Sequence, residues 1–194
     1  MRVVIIRHGQ TKWNVEKRVQ GHTDVELNAV GLEQALMTGE RLSQESVDII
    51  YTSDMIRAKK TAEIINAHHG VKIIESPALR EIGFGIFEGR IREEASAEME
   101  YYRSLGQPYP GSEDVTDYFP RVHNFLDEII GKGHENIFIV SHFGAIRAMI
   151  CYFLKLPAER RTDFTIGNAA IYVFEGSAAS GFSLITENDY AHII

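Results

Sequence analysis

Met1-Arg2-Val3-Val4-Ile5-Ile6-Arg7-His8-Gly9 opens the chain. Residues 3–6 are all apolar and all β-branched, with an arginine on either side. Successive side chains of a strand point to opposite faces, so such a run is stable only where both faces are covered. It predicts a central parallel strand ending at Arg7, with Arg7, His8 and Gly9 at its carboxyl end.

The rest of the chain alternates in the way such a strand requires. After a loop to about Leu27, Asn28 is placed to cap a helix over 29–43, with Leu32, Ala35, Leu36, Gly39 and Leu42 on one face. Residues 47–51 form a second strand, and Ser53 or Asp54 caps a helix running to about His69, where Gly70 stops it. Residues 71–74 make a short third strand. The stretch 86–110 is polar and ends in Gly106, Pro108 and Pro110, which marks a cap containing some helix. A helix over 114–130 follows, with Val115, Tyr118, Val122, Phe125, Leu126 and Ile129 as its apolar face. Residues 136–141 form a fourth strand and 145–156 a buried helix before Pro157. Residues 171–175 and 182–186 pair as an antiparallel end. The expectation is an α/β fold, a three-layer α/β/α sandwich with a mostly parallel sheet, residues 1–194 forming one domain with a small cap inserted at about 86–110.

Bulk composition narrows the function classes. The formal net charge is −7 and there is no Lys/Arg block, which disfavours a nucleic acid or an acidic membrane as partner. An anion site must therefore be a local cluster of Arg and His. The single cysteine, Cys151, lies in an apolar run and reads as a small buried hydrophobe, with no disulfide framework to join. The first residues are too short for a signal h-region, and no apolar stretch reaches membrane-span length, so a cytoplasmic location is expected.

Ligand sites of open α/β sheets form beyond the carboxyl ends of the strands. Four such ends carry reactive side chains here: Arg7-His8, the helix start holding Arg57, the segment Leu79-Arg80-Glu81, and Ser141-His142. Two histidines, two arginines and a carboxylate converging on one crevice suit phosphoryl transfer. Arginine forks match the charged equatorial oxygens of the transition state. A neutral imidazole attacks phosphorus and forms a covalent intermediate. A carboxyl group then protonates the leaving oxygen and later takes a proton from water.

The residues Arg7-His8-Gly9-Gln10-Thr11-x-Trp13-Asn14 resemble the signature of the histidine phosphatase superfamily, the phosphoglycerate mutase-like proteins. The resemblance extends through Gln20-Gly21-x-x-Asp24-x-x-Leu27 and Gly31-x-x-Gln34-Ala35. It continues in Thr52-Ser53-Asp54-Met55-Ile56-Arg57, in Leu79-x-Glu81-x-x-Phe84-Gly85, and in Ser141-His142-Phe143-Gly144 with Arg147. It implies that His8 is the phosphorylated nucleophile, Glu81 the proton donor and acceptor, and His142 a stabiliser of the transferring group. Arg7 and Arg57 would clamp the phosphate, while Asn14, Gln20, Gly21 and the backbone N–H of Phe143 complete the pocket. No metal and no cofactor is expected.

The family often has Gly-Gly-Glu-Ser where this chain has Gly111-Ser112-Glu113-Asp114, Trp where Phe87 stands, and Gly or Thr in place of Phe143. A metal site built from His8, His142 and Glu81 is disfavoured by the arginines beside it. A non-catalytic phospho-ligand-binding module is disfavoured because every reactive group is retained. Phosphoglycerate mutase is the nearer alternative, but the cap has only Arg90, Arg92 and Arg103 against Glu88, Glu93, Glu94, Glu98 and Glu100. An acidic cap points to hydrolysis of a small metabolite bearing one phosphate. The resemblance is greatest to the small bacterial broad-specificity and α-ribazole phosphatases, and a homodimer is compatible with it. His22 has no motif support and reads as a packed or solvated residue.

Overall fold

The computed structural model describes residues 1–193, with the side chain of Val115 outside that description. Six strands form one sheet: β1 Arg2–Arg7, β2 Ile49–Thr52, β3 Lys72–Glu75, β4 Asn136–Ser141, β5 Ile171–Ser177 and β6 Gly181–Asp189, in the order β3-β2-β4-β1-β5-β6. The first four run parallel, β5 pairs antiparallel with β1, and β6 pairs antiparallel with β5.

The apolar run of β1 is explained by what covers it. Val3 and Ile5 join Tyr51, Ile137 and Ile139 on one face, under helices α5 (Val115–Ile130) and α6 (Phe143–Phe153). Val4 and Ile6 join Ile50, Phe138 and Val140 on the other, under α2 (Ala29–Leu42) and α3 (Ile56–Asn66). This is the expected three-layer α/β/α sandwich. Cap residues 86–110 carry α4 (Arg92–Ser104), which packs Ala95 and Met99 on Phe87 and Val19 in a small cluster of its own. Tyr102 and Tyr109 lie edge-on to Phe87 and so hold the cap down.

Several local expectations are corrected. The loop after β1 contains a one-turn helix, α1 (Lys12–Val15), because Thr11 and Asn14 cap each other reciprocally. Leu32 and Leu36 are exposed, and the inner face of α2 is Gly31, Ala35, Thr38, Gly39 and Leu42. The helix lies so close to the loop after β1 that a Cβ on Gly31 would sit 2.0 Å from the Gln10 carbonyl oxygen, so small residues take the inner positions. Helix α3 begins at Ile56 with Met55 as its cap residue, and neither Ser53 nor Asp54 caps it. The Ile56 N–H instead donates to Asp24 of the distant loop at 2.8 Å. Helix α6 starts at Phe143, two residues earlier than expected, and ends at Phe153.

Candidate active site

The parallel sheet brings the carboxyl ends of β1, β2 and β4 side by side, and the turn after β3 joins them. His8 follows β1, 3% exposed, and its Nδ1 lies 2.7 Å from the carbonyl oxygen of Gly9. A carbonyl only accepts, so Nδ1 carries the proton and Nε2 keeps its lone pair. The loop holding this geometry is fixed by side chains from three directions. Gly9 N–H donates to Thr61, Gln10 N–H to Gln34, and Asn168 donates to the carbonyl of His8 and to Asn14. Thr61 stands one helical turn after Arg57 on α3, while Asn168 comes from the segment before β5 and carried no sequence signal.

His142, at the end of β4, has the complementary tautomer. Its Nδ1 accepts from Arg57 Nε at 3.2 Å, and a guanidinium only donates, so its proton is on Nε2. That Nε2 is buried without a protein partner. The rings of His8 and His142 lie 5.1 Å apart. One histidine thus offers a lone pair and the other an N–H donor. Burial first, then the charge of Arg57, holds both imidazoles well below the ordinary histidine pKa.

Arg57 is 1% exposed, and the structure commits most of it to the protein. Besides His142 it donates to the carbonyls of Thr23 at 3.0 Å and Gly21 at 2.9 Å. It thereby ties the loop at 21–23 to β4. Arg7 donates to the Ile166 carbonyl at 2.6 Å and keeps a buried Nε without a partner. Burial pushes the pKa of each guanidinium down to about 10, with Glu81 opposing the shift. Both arginines stay charged at neutral pH. The guanidinium groups of Arg7 and Arg147 both lie over the Phe143 ring, 5.3 and 4.1 Å from its centre.

Glu81 reaches the same crevice from the turn after β3. Its carboxylate accepts from the N–H of Gly144, at 2.9 and 3.1 Å to its two oxygens, and from Ile82 N–H. The start of α6 therefore binds the acid through the N–H of Gly144. A Cβ at Gly144 would stand 2.3 Å from Glu81 Oε1, so a larger residue there would displace the carboxyl group. Glu88, the neighbouring carboxylate, accepts from His22 N–H, Phe84 N–H and Thr23 hydroxyl. Burial opposes its ionisation, but these donors outweigh it and hold its pKa below the usual glutamate value. Glu88 staples the loop at 21–23 to the turn carrying Glu81.

Asn14 and Gln20 both lie on Thr11 in the loop after β1: Asn14 Oδ1 accepts from its N–H, and Gln20 Oε1 from its hydroxyl at 3.1 Å. Gly21 contributes its carbonyl to Arg57. His22 is exposed, yet it neighbours the acid, donating from Nε2 to the Glu81 carbonyl at 2.8 Å. Trp13 packs on Gly89, where a Cβ would lie 3.3 Å from the indole.

Residues 3–189 match the model of the histidine phosphatase superfamily (branch 1). The chain belongs to that superfamily. It is 34% identical to phosphoglycerate mutase-like protein 4 of Arabidopsis thaliana, over 98% of this chain and 86% of the relative. Its fold superposes on the α-ribazole phosphatase of Shigella flexneri with a TM-score of 0.89 and 26% identity, covering 97% and 96% of the two chains. A phosphoserine phosphatase of Entamoeba histolytica, solved with phosphoserine, gives a TM-score of 0.86 and 28% identity over 100% and 99%. Among the described residues, no helix is long and apolar enough to cross a membrane.

Proposed function

We propose that this member of the superfamily is a metal-independent phosphomonoester hydrolase, acting in the cytoplasm through a phosphohistidine on a small phosphorylated metabolite. The observation that carries this reading is the pair of opposite tautomers, His8 with a free Nε2 lone pair and His142 with an unpartnered Nε2–H. In the first step His8 Nε2 attacks phosphorus while the ester P–O bond breaks and Glu81, protonated, gives its proton to the leaving oxygen. His142 Nε2–H and the Arg7 guanidinium stabilise the charge on the equatorial oxygens. Arg57 orients His142. Glu81, now a carboxylate, takes a proton from water as that water attacks phosphorus. Release of inorganic phosphate restores neutral His8.

The cap favours hydrolysis over mutase chemistry. A mutase must grip a second anionic group while the substrate turns over. Arg90 is paired with Glu98 and Arg103 with Glu100, which leaves Arg92, lying over the Phe84 ring, as the cap arginine without a carboxylate ion pair among the described residues. Residues 86–110 then act as the cap of one catalytic unit spanning the chain, and the loop residues Asn14, Gln20 and Gly21 shape the phosphate end of its pocket.

The test is trapping of the intermediate. Wild type incubated with a labelled phosphomonoester and quenched in base should carry acid-labile phosphate, and His8→Ala should carry none and lose turnover by at least about 10³-fold. A labelled His8→Ala would reassign the nucleophile. An unlabelled wild type with no turnover would favour the binding-module reading. Phosphate exchange onto phosphoglycerate exceeding release to water would favour the mutase.

A further inference from the structure

The turn that carries Glu81 is held by an unusual number of side-chain donors. It runs from the 3-10 turn Pro77–Leu79 to Glu81, and all five of its carbonyls bind a side chain. Arg121, one and a half turns into α5, reaches four of them. Its Nη1 donates to Ala78 at 2.7 Å, Pro77 at 3.2 Å and Arg80 at 3.3 Å, and its Nη2 to Glu81 at 3.4 Å. Ser141, the last residue of β4, donates to the fifth, Leu79, at 2.7 Å. Glu113 fixes the guanidinium from behind by a bidentate pair, 2.6 Å to Nε and 2.7 Å to Nη2. The side chains of Arg121 and Glu113 are only 22% and 18% exposed, so the pair is shielded and its geometry is held.

Helix α5 also meets the other end of the acid. Tyr118 lies under the Arg121 guanidinium, 5.1 Å from ring centre to cation. Its hydroxyl is buried with no protein partner, and it faces the same point as the acid: a Cβ on Gly144 would stand 2.9 Å from Tyr118 Oη and 2.3 Å from Glu81 Oε1. One face of α5 therefore touches the backbone of the acid-bearing turn and approaches its carboxyl group.

We infer that Arg121, anchored by Glu113, is a positioning residue for the general acid, fixing the backbone turn that aims Glu81 at the leaving oxygen. This rests on the reading of Glu81 as the proton donor. A guanidinium suits the task because its planar fork spreads donors over four carbonyls, which a lysine ammonium does not cover. Small displacements of a catalytic group are costly to the step it serves, and proton donation matters most where the leaving group is a poor one.

The experiment compares an alkyl phosphate, whose alkoxide needs the proton, with p-nitrophenyl phosphate, whose phenolate departs without it. Arg121→Lys, Arg121→Met and Glu113→Gln are measured with both, alone and combined with Glu81→Gln. Arg121→Lys should lose roughly tenfold to a hundredfold in kcat on the alkyl ester and only about threefold on the aryl ester, with KM little changed. In the Glu81→Gln background the same substitution should add almost nothing to the alkyl loss, since it acts through Glu81. Glu113→Gln, which keeps the side chains packed, should show the same selectivity at smaller size. A loss equal on both esters, or one that adds fully to that of Glu81→Gln, would mean that Arg121 only supports the fold and would overturn the inference. A Glu81→Gln loss that is itself blind to the leaving group would overturn the acid reading and this inference together.

Discussion

Proton placement on two histidines governs the chemistry at the scale of single residues. His8 gives its Nδ1 proton to a carbonyl one residue away, while His142 receives at Nδ1 from an arginine 85 positions earlier. Each bond fixes which nitrogen faces the crevice. His142→Ala removes one donor to the developing charge and should lower kcat on the order of 10²- to 10³-fold, while leaving the phosphohistidine chemistry of His8 in place. Rapid-quench single turnovers with p-nitrophenyl phosphate check this, and a loss confined to KM would reassign His142 to substrate binding. The same substitution leaves Arg57 buried without one acceptor, which should cost about 1–3 kcal/mol in denaturant unfolding.

Helix starts do the work at the scale of elements. The first turn of α6 presents its N–H of Gly144 to Glu81, and the first turn of α3 holds Arg57 under His142. Gly144→Ala separates fold from function at such a start. Alanine in a helix is favoured over glycine by about 0.5–1 kcal/mol, so the helix itself gains. The added Cβ meets Glu81 Oε1 at 2.3 Å, and the carboxyl group must move. Turnover of alkyl phosphates should fall on the order of tenfold or more while Tm changes by only a few degrees. Unchanged turnover would show that the carboxyl works from a different position.

Stability against pH is a property of the whole molecule, because burial by both layers and the field of Arg7 and Arg57 keep His8 and His142 neutral in the fold. In the unfolded chain each titrates near 6.5. Below that pH the unfolded state takes up protons that the folded state refuses, so stability falls as pH falls, by up to about 1.4 kcal/mol per pH unit for each histidine until its folded pKa is reached. His69 and His192 shift in the same direction with less burial. Carboxylates such as Asp48, Asp54 and Glu88, held low in the fold, add their loss only at lower pH, near and below the ordinary carboxylate range. Tm should therefore drop between pH 6.5 and 5, and the slope there should flatten in a His8→Asn/His142→Asn double variant. An unchanged slope would assign the loss to other groups.

The apolar run at 3–6, its repeat at 137–140 and the alternation with helices were legible in the chain, because burial on two faces imprints a local pattern of side chains. So were His8, Arg57, Glu81 and His142, since a parallel sheet carries every strand end to one edge. The leucines at 32 and 36 misled the reading of α2, because close approach to the loop after β1 rewards small residues that carry little hydrophobic signal. Which histidine nitrogen holds the proton, which helix start binds Glu81, and why Arg121 stands where it does were decided only by the tertiary structure. Apart from the His8 bond to Gly9, these depend on hydrogen bonds of about 3 Å between residues 40 to 160 positions apart, such as Arg121 to Pro77–Glu81 and Asn168 to His8. Periodicity sets which face a side chain takes, whereas a donor and its acceptor meet only when packing has fixed both backbones.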